Sequence, residues 1–142
     1  MYTVKQVASI LGVSVHTVRY YDDRGLIPGS KRNQANQRVF DDLALEWLFV
    51  SLTLHRTGLP LEEVKRYISL YQQGESTLGE RFQLMQAQRT KILQELNDLH
   101  LRLAVLDRKI EHYEALLQGQ ADPWDHTYLQ NLIWKGRKQD DP

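Results

Sequence analysis

From Ile92 onward, apolar residues recur in steps of 4, 3, 4, 3, 4, 3 and 4: Ile92, Leu96, Leu99, Leu103, Leu106, Ile110, Tyr113 and Leu117. This alternation keeps a narrow apolar stripe on one side of an α-helix for about four heptads. The pattern extends back through Arg89 and Met85, and neither Gly nor Pro interrupts it before Gly119. At roughly 1.5 Å per residue, the span from Arg89 to Leu117 makes a rod about 43 Å long. A helix this long with such a narrow seam cannot bury it alone, so the spacing predicts a partner helix. Mixed charges beside the seam (Glu95, Arg102, Asp107, Lys109, Glu114) suit a second copy of the same chain, parallel or antiparallel. The plainer alternative is a helix folded back on its own domain.

The N-terminal stretch has a different periodicity. Val4, Val7, Ala8 and Leu11 lie at the i, i+3, i+4, i+7 spacing of one buried helical face. Thr3 followed by Gln6 has the pattern of a capping box. Gly12 suits the left-handed residue that stops a helix, and Ser14 suits the cap of the next. The second helix runs on to Gly25, with Pro28 close behind. At 100° per residue, His16, Arg19, Tyr20 and Asp23 share a face flanked by Thr17, while Val15, Val18 and Tyr21 point the other way. Two short helices joined by a tight turn predict a helix-turn-helix, which presents its second helix to the major groove of DNA. On that reading Ser14, His16, Thr17, Arg19 and Tyr20 are candidate contacts to phosphates and base edges. A merely solvated helix face is the competing reading.

Gly29 to Phe40 carries Lys31, Arg32 and Arg38 and no acid, and its middle, Asn33 to Gln37, is polar and turn-prone. The spacing predicts a β-hairpin, or wing, whose bases lie on the DNA backbone beside the helix. Net charge points the same way, although the whole chain is neutral. Residues 1–40 hold six Lys/Arg against two acids, residues 41–75 three against six, and residues 76–142 nine against ten. The positive field therefore gathers where phosphate would lie.

Three pieces in order, Thr17 to Ile27 (T-V-R-Y-Y-D-x-x-G-L-I), Arg32 to Phe40 (R-x-x-x-x-x-R-x-F) and Asp42–Leu43, resemble the MerR-type (mercury-resistance-type) winged-helix transcription regulators. The resemblance continues through residues 44–117. It implies a mainly α fold, in which a winged helix-turn-helix head with a linking helix pair (residues 1–75) precedes a dimerisation helix (76–118) and a tail (119–142). The helix pair itself is legible. Asp41 to Arg56 is apolar around most of its girth, and Pro60 opens a second helix from Leu61 to Gln73 with Val64, Ile68 and Tyr71 as its buried stripe. Trp47 is expected in the core. Arg56 and Lys65 are candidate secondary phosphate contacts, with a solvated role the alternative. The resemblance further implies an antiparallel coiled-coil homodimer that reads a pseudo-palindromic promoter and distorts its spacer, acting on RNA polymerase indirectly.

With no cysteine in the chain, thiolate metal ligation and iron–sulfur chemistry are excluded. The run Arg56 to Tyr67 (R-T-G-L-P-L-E-E-V-K-R-Y) resembles the aldehyde- and thiol-stress branch of the family, whose third helix keeps one cysteine. Here Val50–Ser51–Leu52 offers a serine instead. His100 and His112 stand twelve residues apart, which is not ligand spacing, so no metal and no cofactor are expected. In the tail, Trp124, Tyr128 and Trp134 are either part of a structural clasp or the lining of a pocket for a small apolar effector. No catalytic constellation stands out, so an enzyme is not expected. An architectural or excision-type DNA binder is the runner-up, though such proteins normally lack a long dimerisation helix. No run of about 20 apolar residues and no leader sequence is seen, which places the expected site of action in the cytoplasm and off the membrane.

Overall fold

The computed structural model describes residues 1–122 and 126–137. Its elements run β1 (Tyr2–Thr3), α1 (Val4–Leu11), α2 (Val15–Asp23), β2 (Lys31–Arg32), β3 (Arg38–Phe40), α3 (Asp42–Arg56), α4 (Leu61–Gln72), a 3₁₀ turn (Glu75–Thr77), α5 (Leu78–Leu117) and α6 (His126–Arg137). The chain forms two compact units, Met1–Lys91 and Ile92–Pro142.

Local chemistry sets the elements of the first unit, the head. Thr3 and Gln6 form the capping box at the start of α1, and Gly12 ends it with φ +65°. Ser14 caps α2 by accepting from Thr17 N–H at 3.0 Å, and Asp41 caps α3 by accepting from Ala44 N–H at 2.9 Å. The small sheet has strand order β1-β3-β2, antiparallel throughout, with Tyr2 opposite Phe40 and Arg32 opposite Arg38. The wing is therefore three-stranded, because the chain start adds to the hairpin. The Tyr2 hydroxyl donates to Asp42 Oδ1 at 2.8 Å, tying that extra strand to the start of α3. This bond to a carboxylate holds the Tyr2 hydroxyl above its ordinary pKa.

Val7, Val18, Leu26, Phe40, Leu48 and Val64 form the fully enclosed centre of the head. Trp47 joins this core, edge-on to Tyr71 with ring centroids 5.2 Å apart. Three details depart from the sequence pattern. Tyr71 is 51% exposed, because its ring lies at the rim, where the Arg81 guanidinium covers it. Leu43 and Phe49 face outward, so α3 is buried on one side only. Met85, expected to continue the coiled-coil seam, packs with Leu84 against the head core instead. The first turns of α5 thus belong to the head, and Gln88 Nε2 donates to Thr57 O at 2.8 Å there.

In the second unit, α5 continues unbroken to Leu117. The backbone N–H of Gln120 bonds Ala115 O, that of Gly119 bonds Leu116 O, and Gly119 has φ +69°, a left-handed helix stop. His112 Nδ1 then meets Asp122 Oδ1 at 2.6 Å, holding the returning chain against the helix. Beyond it, α6 spans twelve residues, His126–Arg137.

Candidate nucleic-acid interface

The geometry of α2 follows from which residues the core claims. Val18 and Tyr21 are buried, and that fixes the opposite face, with His16, Arg19 and Tyr20 turned to solvent. Burial is also the main cause of a raised Tyr21 pKa, with Tyr20 adding to it and Arg56 opposing it. The Arg24 guanidinium lies over the Tyr20 ring at 4.5 Å, so the ring is braced from the helix's own end. Ser14 and Thr17 sit at the helix start with their hydroxyls 2.9 Å apart, which makes Ser14 first of all a cap.

Gly25 ends α2 in the left-handed conformation, with φ +71°, while Leu26 N–H bonds Tyr21 O at 3.0 Å. A side chain at Gly25 would stand 3.7 Å from Lys65 Cε. The Lys65 side chain therefore crosses the C-terminal end of α2, where a positive charge also meets the negative end of the helix dipole. Sequence spacing had no means of placing Lys65 there, since α4 begins far along the chain.

The wing brings the remaining bases alongside. Asn36 takes φ +58° at its tip, and Asn33 Oδ1 accepts from the N–H groups of Ala35 and Gln37. Arg32 Nη1 donates to Asn36 O at 2.8 Å, so this guanidinium braces the tip. Lys31 is exposed, its Nζ 3.9 Å from Asp41. Arg38 is held differently, by ion pairs to both Asp22 and Asp23 at the end of α2. Between wing, α1 and α2 runs an open cleft lined by Lys5, Arg19, Arg32, Asn36 and Gln37, among others. Lys5, Asn36 and Gln37 escaped the sequence reading. Lys5 lies on the helix before the turn, and the wing amides carry no charge to mark them.

Among the other sequence candidates, Ser51 is enclosed in the head, its hydroxyl donating to Leu26 O at 2.8 Å. The seam residues Ile92, Leu96, Leu99, Leu103, Leu106, Ile110, Tyr113 and Leu117 are all exposed on the single chain. Trp124 lies outside the described residues, as does the side chain of Tyr128, while Trp134 is 60% exposed on α6. Among the described residues, no group of three or more His, Asp or Glu could hold a metal ion. No helix among them is long and apolar enough to cross a membrane.

A capped helix pair, a wing and a basic surface shared between them define a winged helix-turn-helix protein. The family described as MerR HTH family regulatory protein matches residues 2–70. An uncharacterized HTH-type transcriptional regulator of Haemophilus influenzae is 32% identical over 113 residues, covering 80% of this chain and 84% of the relative. Among solved structures, HiNmlR, a MerR family regulator lacking the sensor domain and bound to promoter DNA, is similar at 32% identity and TM-score 0.64. That match covers 84% of this chain and 91% of HiNmlR. A putative MerR family regulator from Listeria monocytogenes matches at 28% identity and TM-score 0.69 over 99% of this chain and 100% of its own. The chain belongs to the MerR family of helix-turn-helix transcriptional regulators.

Proposed function

We propose that this regulator binds a pseudo-palindromic promoter as a homodimer, with α2 in the major groove and the wing on the adjacent backbone. The observation that carries the reading is the cleft between wing, α1 and α2, where Lys5, Arg19, Arg32 and Arg38 come together, next to the exposed His16 and Tyr20 on α2 and Lys31 on the wing. Arg19 pairs with guanine or phosphate, and His16 reaches a base edge. Tyr20, Thr17 and Ser14 bond backbone oxygens, Lys31, Arg32 and Lys65 make up the basic frame around them, and Arg38 contributes from the base of the wing. The seam from Ile92 to Leu117 supplies the dimer in this reading, as an antiparallel coiled coil. Two heads related by a two-fold axis then engage two half-sites. Distorting the spacer between promoter elements changes how RNA polymerase engages them, at a deformation cost of several kcal/mol offset by additional backbone contacts.

The reading assigns no catalysis and places the protein in the cytoplasm. Residues 1–75 serve as the DNA-reading part, 76–118 as the dimerisation helix and 119–142 as a clasp or effector-site segment. An effector, where one acts, is a non-metal small molecule, and Trp124, Tyr128 and Trp134 are its candidate contacts. The test is selection of bound sequences from a random duplex pool at about 150 mM salt, where non-specific phosphate binding is suppressed. An enriched inverted repeat is expected. Binding that fades with salt and enriches no sequence refutes the reading and favours an architectural DNA binder.

A further inference from the structure

The end of the recognition helix α2 carries two adjacent acids, Asp22 and Asp23, close to where the DNA backbone would pass. By charge alone they oppose binding. Both are instead engaged by Arg38 from β3, whose Nε lies 3.2 Å from Asp22 Oδ2 and whose Nη2 bonds Asp23 Oδ1. Asp22 holds a second group, the Ser30 hydroxyl at the foot of β2. One helix end is thereby joined to both strands of the wing hairpin. The Asp22 and Arg38 side chains are 11% and 20% exposed, so that pair is shielded from salt, whereas Asp23 is 61% exposed.

The pairing of β1 with β3 anchors the base of the hairpin, but its outer part has little else to fix its direction. β2 and β3 share two paired positions, and residues 31–37 are exposed without exception. Phe40, at the far end of β3, is its one fully buried side chain. A planar guanidinium can meet two carboxylates at once in a set geometry, which an ammonium on a flexible stem does not reproduce. We infer that Asp22 and Asp23 are positioning residues for DNA binding: by gripping Arg38 they set the angle of the wing against the recognition helix. Lys31 and Arg32 then meet the backbone while Arg19 occupies the groove. The same grip offsets one of the two negative charges and engages both carboxylates. Arg38 acts through the placement of the wing rather than as a phosphate contact. This inference rests on the DNA-binding reading above.

The experiment uses the full chain and an operator recovered by the selection. Affinity is measured across a salt series for Asp22→Asn, Asp23→Asn and Asp23→Glu, and hydroxyl-radical footprints are taken of each complex. Each Asn variant removes a negative charge from the DNA-facing helix, so simple electrostatics predicts tighter binding. Loss of the grip predicts the opposite: affinity about tenfold weaker and a salt slope lower by about one to two. Backbone protections beside the groove should vanish while those under α2 persist, and Asp23→Glu should stay near wild type. Asn variants that bind as tightly as wild type, with both sets of protections intact, overturn the inference. Asp23 is exposed enough that its replacement leaves the fold in place, so it decides the matter should Asp22→Asn unfold. A wild-type chain that recognises no duplex overturns the DNA-binding reading itself, and this inference with it.

Discussion

The head and the second half of α5 draw on the same apolar residue types and use them in opposite ways. In the head, Val7, Val18, Phe40, Leu48 and Val64 have no exposed surface. Along α5, the seam from Ile92 to Leu117 is 40% to 85% exposed, and no residue of that helix is buried. The head closes its core within one chain, so its stability is unimolecular. The seam is satisfied only in company, and its stability rises with protein concentration.

Four substitutions would break or sharpen that contrast. The largest effect on assembly is expected from Leu103→Asp, which puts a charge in the middle of the seam. It should yield a monomer by analytical ultracentrifugation and, with two linked half-sites reduced to one, lower operator affinity by on the order of a hundredfold. Retention of the dimer would break the seam argument. Leu48→Ala, in the closed core, should lower unfolding free energy by about 2–5 kcal/mol in urea titration. That loss should be independent of protein concentration, and a concentration dependence would show that the head also relies on a partner. Arg19→Ala should weaken operator binding by about 1–3 kcal/mol if it pairs with guanine, with an unchanged melting transition. Wild-type affinity would remove Arg19 from the interface. Smallest is Ser14→Ala, which deletes the cap of α2 and should lower head stability by about 1 kcal/mol in thermal unfolding.

Where a structural feature depends on residues a few positions apart, the sequence was enough to read it. The Thr3–Gln6 capping box, the left-handed Gly12, the Ser14 cap and the paired strands of the wing all follow from local chemistry. So does the outward face of α2, because Val18 and Tyr21 leave the core only one way to take the helix. Features that depend on distant partners were not legible. Strand β1 is two residues long and gains its identity from Phe40 and Val39. Tyr71 matched the periodicity of a buried stripe, yet the rim of the core falls short of it. Met85 continued the heptad spacing, but the head lay near enough to claim it. Among the site residues, Arg38 read as a free base because nothing in its own segment reveals the two carboxylates that hold it.

Ser51 bears on how such a head evolves. Serine and cysteine differ by the exchange of oxygen for sulfur, and a single nucleotide change can interconvert their codons. Yet the Ser51 hydroxyl is sealed from solvent and bonded to the Leu26 carbonyl in the loop that follows the recognition helix. A thiol installed there would be a weaker donor, and burial in apolar surroundings would raise its pKa and keep it inert. The genetic step toward a redox-responsive descendant is therefore short, while the chemical one is long.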